Sequence, residues 1–149
     1  MTMSTERTSP SERVFAGQTA VVVGSVHGIG RASATLLSRR GARAACLDRN
    51  LEGAQGLVDS LGSEAPEAVA LEMDVTHERA VRATVSEAER RLGPDGVLVN
   101  CAGATGSPTG VPRTGILVEA AEMSGWILSP GGSFTAGFTF DLSGVRAVY

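Results

Sequence analysis

Residues 21–30 read VVVGSVHGIG, a run of β-branched residues directly followed by glycines at positions 24, 28 and 30. Valines that are stiff at χ1 favour a pleated strand, and glycine allows the chain to turn sharply at its end. The next stretch, GIGRASATLLSRRG, changes to a helical period, with Ile29, Ala32, Leu36 and Leu37 expected inward and Gly41 as the C-terminal stop. A buried strand that passes through a glycine turn straight into a helix begins a strand-helix-strand crossover. Crossovers of that kind build parallel sheets.

The rest of the chain repeats the alternation. ARAACLD reads as a second strand and residues 51–61 as a second helix. EAVALEMDV reads as a third strand, and Thr76 is expected to cap a helix through Arg91, with Ala80, Val81, Ala83, Thr84, Val85 and Ala88 on its apolar side. DGVLVNCAG is a fourth strand that runs into another glycine turn. The fold class is therefore α/β, a Rossmann-type parallel sheet with helices on both faces, in the order 3-2-1-4 for this half. A composition of 42% hydrophobic but only 4% aromatic residues agrees with a core of Val, Ala and Leu.

The three glycines have separable roles at such a turn. Gly24 ends the strand, Gly28 lets backbone approach a phosphate, and Gly30 lets the helix pack closely, while the helix N-terminus offers unpaired N–H groups and partial positive charge. A pyrophosphate fits there. Asp48 ends the second strand 18 positions after Gly30, where a carboxylate accepts hydrogen bonds from an adenosine ribose. A 2'-phosphate would meet that negative charge, so NAD is favoured over NADP, with Arg49 as the residue able to turn toward a phosphate.

These residues resemble the short-chain dehydrogenase/reductase family. The family's Gly-x-x-x-Gly-Ile-Gly stands here as GSVHGIG, with Val23 in place of the usual preceding Thr. Asp48 matches the acid that selects NAD, MDV supplies Asp74 and Val75 where the family contacts adenine, and NCAG, residues 100–103, resembles the family's Asn-Asn-Ala-Gly turn. The resemblance covers residues 15–106. It implies a cofactor site of Gly24, Ser25, His27, Gly28, Ile29, Gly30, Asp48, Arg49, Asp74, Val75, Asn100, Ala102 and Gly103, and hydride transfer between a nicotinamide cofactor and an alcohol or carbonyl substrate.

Residues 119–144 resemble a different part of the same family, its closing helix, small-residue turn and final strand, with Ala136 and Gly137 for the usual Thr-Gly and Asp141 and Gly144 near the usual Asp-Gly-Gly. Between Gly103 and Val118 stands only ATGSPTGVPRTGIL, so the family's middle, with its Asn, Ser and Tyr-x-x-x-Lys, is absent from this chain. The only Tyr is Tyr149, and all 13 basic residues are Arg. Without a Lys to lower its pKa, a Tyr is phenolate in only about one molecule in a thousand at neutral pH. The resemblance thus implies an oxidoreductase by descent that is inactive alone; the alternatives are a module that binds NAD or an adenine nucleotide without turnover, and a remnant with no function. No catalytic residue is assigned.

The shortened sheet is expected to close with residues 138–142 as a fifth strand beside the fourth, order 3-2-1-4-5, reached by a right-handed crossover through a helix at 116–128. The C-terminal helix and strand are also the expected surface for a homo-oligomer. Trp126, Phe134, Phe138 and Phe140 are expected to fill core or cover an interface.

Charge and targeting signals narrow the setting. The net charge is −3, with Arg spread along the chain, which points away from nucleic acid and anionic membranes as partners and leaves a small-molecule dinucleotide. MTMSTERTSPSER has no apolar core of the kind a secretion signal needs, and no run approaches the ~20 apolar residues of a membrane helix. Residues 1–12 are expected to be a disordered lead-in to a single domain over 13–149, in the cytoplasm. Cys46 and Cys101 form no paired motif and, one strand apart on either side of the first, lie roughly 10 Å from each other, beyond disulfide reach. His77 is expected to open a helix and face solvent. Ser129 and Ser133 have no His at recognisable spacing, and no metal-ligand pattern or internal repeat is present.

Overall fold

The structure, a computed structural model, describes residues 13–103 and 117–129. Four strands, β1 (Thr19–Val23), β2 (Arg43–Asp48), β3 (Ala68–Glu72) and β4 (Asp95–Asn100), alternate with helices α1 (Gly28–Arg39), α2 (Leu51–Leu61) and α3 (Glu78–Leu92), and α4 (Leu117–Leu128) follows. The strands form one parallel sheet in the order β3-β2-β1-β4. Val22 at its centre pairs with Cys46 on one side and Val99 on the other.

Side chains of the strands alternate between two cores, as the period of two requires. Ala20, Val22, Ala44, Cys46 and Val97 pack with Phe15, Ala34, Leu37 and Leu57 under α1 and α2. Val21, Val23, Ala45 and Leu47 pack on the other face with Ala88 and Leu92 of α3. Full burial of a single leucine such as Leu37 stabilises the fold by about 1.5–3 kcal/mol. The α3 face is covered less completely: Leu98 of β4 is 62% exposed, and among the described residues β4 has β1 as its one strand neighbour.

Helix α1 meets the sheet differently from the apolar period. Its buried residues are Gly30, Ser33, Ala34, Leu37 and Ser38, whereas Ile29 is 44% exposed. Small residues face the sheet because the helix lies close to it. Leu36 is turned instead toward α4, where a Cβ on the buried Gly125 would stand 2.8 Å from its Cδ2, and the Arg40 guanidinium donates to Glu122 of α4 at 2.5 Å. Gly41, at φ +97°, stops α1 as the sequence indicates, and its N–H donates to the Ser38 carbonyl.

Two expected elements are corrected. Thr76 does not cap α3: the helix begins at Glu78 with His77 as its N-cap residue, exposed at the helix opening as expected, and Ala83 is exposed rather than inward. The Thr76 N–H and hydroxyl both bond to the Asp74 carboxylate, a local turn that competes with capping. The second correction concerns closure of the sheet. Helix α4 occupies the α1 face, since its Leu128 packs on the same core as Phe15 and Val22. A right-handed connection from β4 to a strand beyond it runs over the α3 face, as the β3-α3-β4 connection does, so α4 does not supply the right-handed route expected. The expected strand at 138–142, the group Phe134, Phe138 and Phe140, Ser133 and Tyr149 lie outside the described residues.

Candidate functional site: the crevice above the glycine turn

The strand order reverses between β1 and β4, and parallel sheets hold ligands in the crevice that opens there at the carboxyl ends of the strands. A cavity of about 420 Å³ lies at that place. Val23 at the end of β1 with Gly24 and His27 of the first turn, Asp48 at the end of β2 with Arg49 after it, and Ala102 and Gly103 after β4 contribute to its walls. Met73, Asp74, Val75 and Thr76 after β3, and Cys101, complete them.

The glycine turn is built by backbone geometry. Gly24 has φ +76°, and its N–H donates to the Leu47 carbonyl at 2.8 Å, which anchors the turn to β2. A Cβ on Gly24 would also stand 2.8 Å from the Ala102 nitrogen, so the end of β4 comes as close as a glycine allows. A Cβ on Gly30 would lie 2.0 Å from the Gly24 carbonyl oxygen, which makes Gly30 the residue that lets α1 sit on the turn. Gly28, at φ +53°, faces open space with nothing within 4 Å of where its Cβ would be.

The end of α1 is suited to an anion. Its first intrahelical bond runs from the Arg31 N–H to the His27 carbonyl, so the N–H groups of Gly28, Ile29 and Gly30 have no acceptor inside the helix. There is no acidic residue in the first turn, and His27 at the N-cap makes no side-chain hydrogen bond to it. Ser25 is buried beneath the turn, and its hydroxyl has no partner among the described residues.

Asp48 joins the turn to the second helix. Its Oδ2 accepts the Val26 N–H at 3.1 Å and its Oδ1 accepts the Asn50 N–H at 3.0 Å. Each oxygen keeps a further lone pair. Across the cavity the Asp74 carboxyl is held below the usual carboxylate range by the Thr76 hydroxyl first, then by the Thr76 N–H and by His77. Asn100, exposed at the end of β4, accepts the Ala102 N–H at 3.2 Å and so shapes the last turn rather than the cavity wall.

Of the residues singled out in the sequence, Gly24, His27, Asp48, Arg49, Asp74, Val75, Ala102 and Gly103 come together around the cavity. Ser25, Gly28, Ile29, Gly30 and Asn100 stand outside its walls; Gly28, Ile29 and Gly30 form the first turn of α1, which follows the wall residue His27. Val23, Met73, Thr76 and Cys101 are wall residues that sequence reasoning missed. The Asp-x-Thr spacing of the Asp74 turn is a signal that could have placed Thr76 there. Cys101 is half-buried and burial pushes its thiol up, so it has no activated nucleophile character; Cys46, fully buried in the sheet, is pushed up to about 12. Both cysteines are free.

The model of the short chain dehydrogenase family matches residues 18–115. The chain belongs to that family. A short chain dehydrogenase of Pseudocercospora fijiensis is 37% identical over 106 residues, 71% of this chain and 32% of that protein. The 3-oxoacyl-[acyl-carrier-protein] reductase of Homo sapiens is 41% identical over 98 residues, 66% of this chain and 37% of that protein. The crystal structure of hydroxysteroid dehydrogenase from Escherichia coli superimposes with a TM-score of 0.61 at 28% identity, covering 70% of this chain and 45% of that one. The chain thus spans about a third of the length of these curated relatives. The family is one of oxidoreductases that use a nicotinamide dinucleotide as cofactor. Among the described residues no helix is long and apolar enough to cross a membrane.

Proposed function

We propose that this chain holds NAD in the crevice above the glycine turn, and that the 149 residues do not by themselves transfer hydride by the family's route. The observation that carries the binding half is that His27, the N-cap of α1, and Asp48 at the end of β2 line one cavity. In this reading the N–H groups of Gly28, Ile29 and Gly30 take the pyrophosphate beside Gly24, Ser25 and His27. Asp48 takes the ribose hydroxyls, with Arg49 at its side, and Asp74 and Val75 border the adenine. Asn100, Ala102 and Gly103 form the turn on which the second ribose rests. The dinucleotide, when bound, supplies or accepts the hydride; the chain's own residues bind and orient it.

The second half rests on composition. A family member moves the proton at the substrate oxygen with a Tyr whose pKa a Lys lowers, and this chain contains a single Tyr and no Lys. That favours a dinucleotide-binding module over an enzyme complete in itself. We place it in the cytoplasm, which the two unpaired thiols fit. Helix α4 and the sequence that follows it remain our proposed surface for self-association.

Two measurements test this reading. Calorimetric titration should show NAD bound more tightly than NADP; Asp48→Ala should weaken NAD by about 1–3 kcal/mol, the usual cost of a lost hydrogen bond to a charged group, and narrow the preference over NADP because the negative charge is gone. Equal NAD affinity in the variant removes Asp48 from the site, and no binding of either dinucleotide overturns the proposal. Separately, protein incubated with NAD and a panel of secondary alcohols should form NADH no faster than buffer does. Turnover that persists in Tyr149→Phe would show that another group does the chemistry.

A further inference from the structure

Helix α2 contains two glycines, Gly53 and Gly56, although glycine weakens a helix relative to alanine. Neither has a positive φ, so conformation does not require them. Gly56 has open space around it, whereas a Cβ on Gly53 would stand 2.7 Å from Val26 Cγ1 and 2.9 Å from Asn50 Nδ2. Val26 lies in the glycine turn, is 5% exposed, and as a β-branched residue has little freedom to rotate away. The Val26 N–H is held by Asp48 Oδ2, Asp48 Oδ1 accepts the Asn50 N–H, and Asn50 Oδ1 caps α2 by accepting the Gly53 N–H at 3.0 Å. The contact between Gly53 and Val26 closes this circuit of turn, carboxylate, cap and helix.

We propose that Gly53 is a positioning residue for the glycine turn: its missing side chain lets the first turn of α2 seat Val26, and Val26 with Asp48 sets where the turn and the free N–H groups of α1 stand. Gly53 touches no ligand itself. The inference rests on the proposed dinucleotide site for its binding consequence, but the seating of Val26 can be read without any ligand.

The test is a cycle of Gly53→Ala, Val26→Ala and the double variant, with Gly56→Ala as the same change in the same helix at an open place. Amide hydrogen exchange of the free protein should show the Val26 N–H losing protection in Gly53→Ala and regaining it in the double variant, where the smaller residue leaves room. NAD dissociation constants should follow, about ten-fold weaker in Gly53→Ala and recovered toward the Val26→Ala value in the double variant. Gly56→Ala should match the wild type in both readouts. If the wild type binds no NAD, the proposed function falls while the exchange measurement still decides this inference. Wild-type protection of the Val26 amide in Gly53→Ala overturns it, and so does a loss that the double variant fails to restore. Should Gly53→Ala not fold, a folded and protected double variant supports the inference, and an unfolded one overturns it.

Discussion

Gly30→Ala is expected to destabilise this protein by about 3 kcal/mol or more, the upper range for overpacking a buried position. An added methyl would stand 2.0 Å from the Gly24 carbonyl oxygen and 2.9 Å from its carbon. Both are backbone atoms, so no side-chain rotation gives relief. Gly24 is held in place, because its N–H is bonded to the Leu47 carbonyl and the Cys101–Ala102 peptide stands so close that even a Cβ on Gly24 would be 2.8 Å from the Ala102 nitrogen. The first turn of α1 must therefore lift from the sheet, which opens the packing of Ser33, Ala34 and Leu37 below it. Helix propensity points the other way, since alanine in a helix interior gains up to about 1 kcal/mol over glycine. A urea transition measured for wild type and variant decides between them: an unchanged or raised midpoint would mean that α1 does not sit on the turn as described.

Much of this arrangement was legible in the sequence because strand and helix periods are local. Residues 51–61 were readable as a helix to the residue, and the order β3-β2-β1-β4 followed from crossovers that have one hand. The misreadings arose where a tertiary or side-chain contact outranks the period. Ile29 fits the apolar stripe of α1, yet it is exposed because the helix approaches the sheet through Gly30, Ser33 and Ala34, and closeness selects small residues over large ones. Thr76 has the character of a cap, but Asp74 two positions earlier captures its N–H and hydroxyl first. The site was legible in the residues that recur at turn ends, Gly24, Asp48, Asp74 and Ala102, and illegible in Met73 and Cys101, which reach the cavity only because the ends of β3 and β4 converge there. Gly53 shows the limit plainly: nothing near it in sequence distinguishes it from Gly56, and only its contact with the turn does.

Gly28→Val is expected to abolish NAD binding, a loss of 100-fold or more being about the effect of misplacing a bound group by roughly 1 Å. Two causes act together and have to be separated. Gly28 has φ +53°, a left-handed conformation that costs an ordinary L residue about 1–2 kcal/mol and a β-branched one more. Its Cβ direction is also open, so a side chain there projects into the space proposed for the pyrophosphate. Asn adopts the left-handed conformation more readily than other residues with a side chain, so Gly28→Asn should keep near wild-type stability while still filling that space. Loss of NAD binding in both variants, with an unfolding midpoint near wild type in Gly28→Asn, assigns the effect to the volume above the turn. Retained binding in Gly28→Asn would place the pyrophosphate elsewhere, and Asp48 would then have to be explained by its two backbone partners, Val26 and Asn50, alone.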